Sequence, residues 1–297
     1  ILLGNDERIE KLAAQLDLSL EGIEIVNLRH DREAERRERF ARILTEKRQR
    51  DGYTFEEAND KMFERNYFGM MMVETGEADA FITGLYTKYS NTVKVVKEVI
   101  GIRPQYDHFG AMHIINSPKG TLYIADTLVN ENPDTDTLID IAKLASKSVK
   151  FFNEKPVIAL VSHSNFGSSQ SDGAKKVKRA VEYMQERYPN LPIDGEMQLG
   201  FALDRELRDE QYPFTRLCGK DVNTLVFPNL TSARSSYKML QSLNSDVEII
   251  GPIQMGLNKA IHFVDYGATV REVVNITAVA VIDAYVEKIK KAREEKH

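Results

Sequence analysis

Short runs of β-branched residues alternate with longer amphipathic stretches along almost the whole chain. This alternation predicts an α/β fold with a largely parallel sheet, because each parallel strand needs a long crossover before the next. Helices are expected between the strands, most clearly over residues 54–75, where Thr54 and Glu57 have the spacing of a capping box. The predicted strands cover residues 23–26, 80–83, 111–115, 122–125, 157–161, 224–227, 247–250 and 261–264.

Composition and charge exclude several classes of protein. The 297 residues are 42% hydrophobic and 29% charged, enough for two domains or one large α/β domain. The 40 Lys and Arg residues are outnumbered by 45 Asp and Glu, and the formal charge of -5 argues against a nucleic-acid partner. No apolar run approaches the roughly 18 residues of a membrane helix, so no membrane partner is expected. One cysteine and no secretory leader favour a cytoplasmic location.

Two segments are candidate hinges: the turn-rich residues 103–107 and the pair Gly251-Pro252. If both are hinges, the chain leaves one lobe and later returns to it. The predicted lobe I then contains residues 1–110 plus 251–297, and lobe II contains residues 111–250. A cleft between two such lobes is where α/β proteins favour ligands. The chain opens at Ile1, without Met and inside an apolar run, so we expect it to be a piece of a longer protein.

The loop after the strand at 157–161 carries the strongest local signal for a binding site. Small residues and hydroxyls there can direct backbone N–H groups and side-chain oxygens at an anion near a helix N-terminus. An ordinary polar turn is the alternative, and the residues alone leave both open. The candidate ligand groups are Ser162, Ser164, Gly167 and Ser168.

Other chemistry-bearing residues give weaker signals. Asp194-Gly195-Glu196 is interpreted as a turn rather than a catalytic acid pair. The spacing of His108 and His113 fits no familiar zinc pattern, and Cys218 has no catalytic partner nearby, so no metal site and no cysteine nucleophile are predicted.

Four runs together resemble the phosphate acetyl/butyryltransferases: IDGEMQL at 193–199, VFPNL at 226–230, YK at 237–238 and GPIQMGLNK at 251–259. The similarity extends over nearly the whole chain. Within that family, the sequence is most similar to the C-terminal domain of bacterial multidomain NADP-dependent malic enzymes. The resemblance implies two α/β/α lobes with largely parallel sheets and a cleft between them, as in phosphate acetyltransferases and isocitrate or isopropylmalate dehydrogenases. It also implies a dimer, and a first βα unit that the chain lacks before residue 1.

The resemblance assigns ligand-binding positions. Arg48 matches a phosphate-binding arginine of the family. Lys94 stands where the family has a second phosphate-binding arginine. The lysine keeps the positive charge but cannot make the bidentate contact of a guanidinium group. The loop at 162–171 matches the Ser-rich loop on the CoA side, which favours the anion-binding interpretation. Arg234 lies where the family has Asn-x-Gly-Asn, and is an added cation beside the ligand.

The catalytic positions of the family are altered in this chain. Asp265 replaces the catalytic serine, Tyr266 replaces the arginine that binds the acyl phosphate, and Glu272 matches the aspartate thought to activate the thiol. These positions are therefore expected to be vestigial. Glu272 also forms a capping-box pattern with Thr269, and this structural role is preferred to that of a general base.

The resulting expectation is a non-catalytic, phosphotransacetylase-like regulatory domain that binds acetyl-CoA or a related acyl-CoA as an allosteric effector. No cofactor is expected in this domain. NADP and a divalent metal, Mg or Mn, would belong to an attached malic-enzyme part that oxidatively decarboxylates malate to pyruvate. Partners would be acyl-CoA, that malic-enzyme domain and a second copy of the chain. Two alternatives remain: an active phosphate acyltransferase, and a pure oligomerisation module.

Overall fold

The computed structural model of the chain describes residues 1–84, 89–243 and 246–294. They form two compact units. Unit 1 contains Ile1–Gly101, Lys259–Ile261 and the end of the chain from Asp283, and unit 2 contains Ile102–Asn258 and His262–Ile282. These bounds differ from those of the predicted lobes, because the strand that crosses residue 250 stays in the sheet of unit 2 and residues 262–282 return to that unit.

The strands of the described residues include all eight that the sequence predicts, with ends shifted by a few positions. Two further strands, β1 and β7, were not predicted. The strands are β1 (Leu2–Leu3), β2 (Ile25–Val26), β3 (Ala80–Gly84), β4 (Gly110–Ser117), β5 (Gly120–Ala125), β6 (Ile158–Val161), β7 (Ile193–Met197), β8 (Thr224–Val226), β9 (Glu248–Met255) and β10 (Ala260–Val264).

Helices connect most of these strands, as expected for an α/β fold. Among the described residues, no helix is both long and apolar enough to cross a membrane. The helices are α1 (Asp6–Gln15), α2 (Ala34–Arg48), α3 (Phe55–Lys61), α4 (Arg65–Glu74), α5 (Tyr89–Val99), α6 (Thr135–Phe151), α7 (Asp172–Arg187), α8 (Leu199–Leu203), α9 (Arg205–Gln211), α10 (Leu230–Leu243) and α11 (Val270–Glu294).

Unit 2 is built on a six-stranded sheet with the order β7-β6-β8-β5-β4-β9. The first four strands pair in parallel, whereas β4 pairs antiparallel with both β5 and β9. The α10 helix packs on this sheet through Ala233 and Tyr237, which belong to a buried cluster with Ile115, Leu225 and Ile249. The sheet thereby fixes the position of α10, which carries several of the site residues described below.

Unit 1 contains a parallel pair, β1 and β2, and β3, which pairs with β10. Its core includes an edge-to-face contact between Phe40 of α2 and Phe68 of α4, with ring centroids 5.2 Å apart. The predicted capping box of Thr54 and Glu57 is confirmed at the start of α3. The single helix predicted over 54–75 is wrong, because α3 ends at Lys61 with bonds to carbonyls three residues back and α4 begins at Arg65.

Candidate functional site

A pocket of about 140 Å³ lies in unit 2 beside the end of β10. Its walls come from one face of α10, the turn from β10 into α11, and parts of β4 and β9. From α10 come Tyr237 and Lys238, which lie four and three positions before Gln241 and so share a helix face with it. We call it the Asp265 pocket, and its charged and hydrogen-bonding lining residues include His113, Tyr237, Lys238, Gln241, Asp265 and Glu272.

Two cations of α10 hold the Asp265 carboxylate. Its Oδ2 lies 3.0 Å from Nη2 of Arg234 and 3.8 Å from Nζ of Lys238. Arg234 and Lys238 are one helical turn apart, so both reach the same carboxylate. Its Oδ1 accepts a 3.0 Å hydrogen bond from the backbone N–H of Tyr266. The protein itself therefore offsets the negative charge of Asp265, and the Arg234 cation expected to face a ligand is shared with this carboxylate.

The two other altered catalytic positions take different environments. The Tyr266 side chain is 83% exposed. Glu272 Oε2 accepts hydrogen bonds from the Thr269 N–H at 2.7 Å and hydroxyl at 3.0 Å, while the Glu272 N–H donates to Thr269 Oγ1 at 3.2 Å. This reciprocal pair is the predicted capping box, which is confirmed at the start of α11. Glu272 Oε1 also accepts a 3.4 Å bond from Gln241, so its carboxylate is engaged on both oxygens.

A buried histidine and a buried tyrosine form the floor of the pocket. The rings of His113 and Tyr237 stack with centroids 4.2 Å apart. The Thr127 hydroxyl donates to a backbone carbonyl, so it is assigned as acceptor of the 2.8 Å bond from His113 Nδ1. Burial, with Lys238 and Arg234 nearby, lowers the pKa of His113 to about 3, so the ring is neutral at pH 7. Burial raises the pKa of Tyr237 to about 12.

The predicted Ser-rich loop folds around a carboxylate of the protein itself. Glu196 of β7 is 1% exposed. Its Oε1 accepts a 3.2 Å bond from the Ser164 hydroxyl and a 2.7 Å bond from the Gly167 N–H. Ser162 Oγ lies 3.3 Å from Ser164 Oγ, and Ser168 Oγ accepts a 3.0 Å bond from a backbone N–H of the same loop. All four predicted ligand groups thus have contacts within the protein, and Glu196 Oε1 is the acceptor that Ser164 and Gly167 share.

The interpretation of Asp194-Gly195-Glu196 as a turn is wrong, because these residues lie in the middle of β7. Asp194 Oδ1 accepts a 2.9 Å bond from Gln185 Nε2. Its Oδ2 accepts bonds from the Thr215 hydroxyl at 2.7 Å and the Arg216 N–H at 2.8 Å. Both oxygens of Asp194 and Oε1 of Glu196 thus accept hydrogen bonds from groups outside β7, whereas Glu196 Oε2 is buried without a hydrogen-bond partner among the described residues.

The two predicted phosphate ligands of unit 1 lie against α5. Arg48 Nε donates a 2.7 Å bond to the Glu98 carbonyl, its Nη2 donates to the Lys97 carbonyl, and its Nη1 lies 3.2 Å from Asp51 Oδ2. The guanidinium therefore caps the C-terminal end of this helix. Lys94 is 66% exposed and lies 3.8 Å from Glu98 Oε1.

The structure thus brings only some of the predicted residues together. Asp265, Tyr266 and Glu272 line the Asp265 pocket, and Arg234 contacts Asp265. The Ser-rich loop instead packs around Glu196. The sequence prediction missed Lys238 and Gln241, although their spacing from Arg234 on a predicted helix was a usable signal. Within residues 1–84, 89–243 and 246–294, no group of three or more metal-ligating side chains comes together.

The sequence of the chain matches the model of the family described as phosphate acetyl/butaryl transferase over residues 1–281. The chain belongs to this family. Among curated proteins, it is 38% identical to the NADP-dependent malic enzyme of Escherichia coli, over 97% of this chain and 38% of that enzyme. It is 32% identical to the phosphate acetyltransferase of Acetivibrio thermocellus, over 96% of this chain and 86% of that enzyme.

Solved structures of the phosphate acetyl/butaryl transferase family have the same fold. The EutD phosphotransacetylase from Staphylococcus aureus superposes with a TM-score of 0.80 at 29% identity, covering 96% of this chain and 84% of that one. A phosphotransacetylase from Streptococcus pyogenes gives a TM-score of 0.82 with the same identity and coverage. The predicted α/β fold with mostly parallel strands is therefore confirmed. The chain spans well under half the length of the malic enzymes that it matches.

Proposed function

We propose that this chain is an acyl-CoA-binding regulatory domain of an NADP-dependent malic enzyme and that it does not transfer acyl groups. The observation that carries the proposal is the ion-paired state of Asp265. Its carboxylate, Arg234 and Lys238 form a compensated cluster in the place that the family resemblance assigns to the catalytic serine.

Acyl transfer to CoA requires groups that this pocket does not supply. In that reaction the CoA thiolate attacks the acyl carbonyl and the bond to phosphate breaks, so negative charge develops on the carbonyl oxygen and the leaving phosphate. Preorganised donors and cations would dominate the rate, and loss of one donor commonly costs about a hundred- to a thousand-fold. Asp265 as a carboxylate has no proton to donate, and Tyr266 cannot replace a cation. Arg234 and Lys238 already contact Asp265.

The Asp265 pocket still suits a small, uncharged acyl group. Its volume of about 140 Å³ is far below the 300–1,000 Å³ usual for drug-sized ligands, so it would hold the acyl end of an acyl-CoA rather than the whole molecule. The stacked rings of His113 and Tyr237 offer an apolar floor. Gln241 and Lys238 offer N–H donors for the thioester oxygen.

Regulation also requires that acyl-CoA bind two states of the full-length enzyme with different affinities, since equal affinity would shift nothing. NADP, Mg or Mn and malate would bind the attached malic-enzyme part. The similarity to malic enzymes supports this arrangement.

Two assays on the purified chain test the proposal. Calorimetric titration with acetyl-CoA should show binding, and a coupled assay of CoA with acetyl phosphate should show no turnover above background. Lys238→Gln should weaken acetyl-CoA binding, whereas Lys175→Gln, which removes an exposed lysine of α7, serves as the matched control. Absence of acetyl-CoA binding, or acetyl transfer at the rate of an ordinary phosphate acetyltransferase, would contradict the proposal.

The end of α10 supports a second, compatible role in self-association. Met239, Leu240 and Leu243 are apolar and exposed in the single chain. We propose that they contact a second copy of the chain, because burying such side chains stabilises a dimer. Light scattering should then report a dimer for the unaltered chain and a monomer for Leu243→Lys.

A further inference from the structure

A second pocket lies in unit 1 and has a volume of about 570 Å³, within the range of small-molecule sites. It forms where three strands end. Gly4 and Asn5 follow β1, residues 27–29 follow β2, and Thr83 and Gly84 end β3. Residues 63–66, around the start of α4, complete the lining. Ligands of α/β proteins bind outside the carboxyl ends of the strands, which is the position of this pocket.

Two arginines, Arg29 and Arg65, are among the residues that line this pocket. Among the described residues, the side chains of Arg29 and Arg65 make no ion pair or hydrogen bond, and both are exposed. Other arginines of the unit are paired: Arg36 and Arg39, for instance, both contact the carboxylate of Glu77. Unpaired guanidinium groups in one concave site are suited to bidentate contacts with phosphate or carboxylate oxygens.

The amide side chains of the pocket are already used to shape its loops. Asn5 Oδ1 caps α1, and Asn27 Nδ2 donates a 3.0 Å bond to Asp6. Asn66 Oδ1 accepts a 2.7 Å bond from the Thr83 hydroxyl, which ties the start of α4 to the end of β3. These bonds fix the walls, and they leave recognition of a ligand to the charged groups.

The start of α4 adds to the positive potential of the pocket. Its N-cap residue, Glu64, makes no side-chain hydrogen bond to the helix, and the helix runs for 10 residues. The first amide groups of an uncapped helix are available to an anion. Glu64 is the one acidic residue among the lining residues, against two arginines. Its carboxylate can accept hydrogen bonds from hydroxyl groups, as acidic residues do with ribose.

We propose that this pocket binds a phosphorylated, hydroxyl-bearing metabolite, such as a nucleotide or a sugar phosphate. Arg29 and Arg65 contact the phosphoryl oxygens, and Glu64 accepts hydrogen bonds from ligand hydroxyls. The residues that line this pocket all belong to unit 1, and those that line the Asp265 pocket all belong to unit 2. It adds to the proposed function and does not depend on acyl-CoA binding at the other pocket.

Calorimetric titration of the 297-residue chain at low salt tests the proposal, with pyrophosphate, ADP, glucose 6-phosphate and malate as the probes. We expect at least one phosphorylated probe to bind, and malate to bind more weakly. Arg29→Gln and Arg65→Gln should each weaken that binding about tenfold or more, because each variant loses a charge-assisted hydrogen bond to phosphate. Arg187→Gln, which removes an exposed arginine of α7, should leave it unchanged.

Three results would overturn the proposal: no phosphorylated probe binds, both pocket variants bind like Arg187→Gln, or malate binds as tightly as the tightest phosphorylated probe. Titration with acetyl-CoA separates this proposal from the function proposed above. Acetyl-CoA should bind Arg29→Gln and Arg65→Gln as it binds the unaltered chain. If both variants lose acetyl-CoA as well as the phosphorylated probe, the pocket is part of the acyl-CoA site and the separate site is refuted.

Discussion

The compensated charge of Asp265 can be tested by Asp265→Asn, which removes the charge and keeps the shape. The carboxylate lies 3.0 Å from Arg234 and 3.8 Å from Lys238, and its side chain is 27% exposed. Partly exposed ion pairs contribute up to about 1 kcal/mol each, so the loss of unfolding free energy should stay below about 2 kcal/mol. The variant should therefore fold, with both cations freed for an anion.

The gain in anion affinity can be estimated from Coulomb's law. For a phosphate about 6 Å from the former carboxylate, at an effective dielectric of about 40 for this partly exposed site, removal of the repulsion is worth about 1.4 kcal/mol, or about tenfold in affinity. Titration with acetyl phosphate measures this. The control is Asp221→Asn, which breaks a 3.0 Å pair with Arg205 in the same unit. Equal affinity in both variants would refute the reasoning that Asp265 neutralises the pocket.

Three further predictions concern stability. Gly69→Ala should lower the unfolding free energy by about 1–3 kcal/mol, because its Cβ would lie 2.3 Å from the Phe81 ring. The control is Gly173→Ala, whose added Cβ would have no atom within 4 Å and which should be neutral or stabilising. Urea denaturation measures both variants. Glu196→Ala should lower the unfolding free energy by about 2 kcal/mol or more, because the buried Ser164 hydroxyl and the partly buried Gly167 N–H lose their acceptor, whereas Glu196→Gln should cost less than about 1 kcal/mol. The pKa of His113 falls from 6.5 to about 3 on folding. Its contribution to the free energy of unfolding is therefore complete above pH 6.5 and is lost as the pH falls towards 3, by up to about 1.4 kcal/mol per pH unit. His113→Phe should remove this pH dependence from the unfolding free energies measured by urea titration at several pH values.

The fold was largely predictable because hydrophobic periodicity reports which segments are buried. The strand missed in the sheet of unit 2, β7, shows where that signal fails. Asp194 and Glu196 interrupt its apolar pattern. Asp194 accepts a hydrogen bond from Thr215, 21 positions away, and Glu196 accepts one from Ser164, 32 positions away. No local pattern contains such distant partners, so buried carboxylates look like a turn.

The site was predictable only as a set of positions. Sequence matching singled out Arg234 and Asp265 separately, and each looked like a change of charge beside a ligand. Their contact across 31 positions shows that the two changes offset each other. In the same way, Arg48 matched a phosphate ligand, while the structure places its guanidinium on the last carbonyls of α5. The identity of a residue gives its charge, but the packing of the chain determines which group that charge contacts.

The two pockets differ in how their charges are used, and this difference decides what each can bind. At the Asp265 pocket, each cation near the ligand space contacts a carboxylate of the protein, so an anionic ligand would have to displace an existing ion pair. A neutral acyl group needs no such exchange. At the unit 1 pocket, Arg29 and Arg65 contact no carboxylate among the described residues, so a phosphate there would displace no ion pair. The pocket in unit 2 is therefore suited to the uncharged end of a ligand, and the pocket in unit 1 to an anionic one.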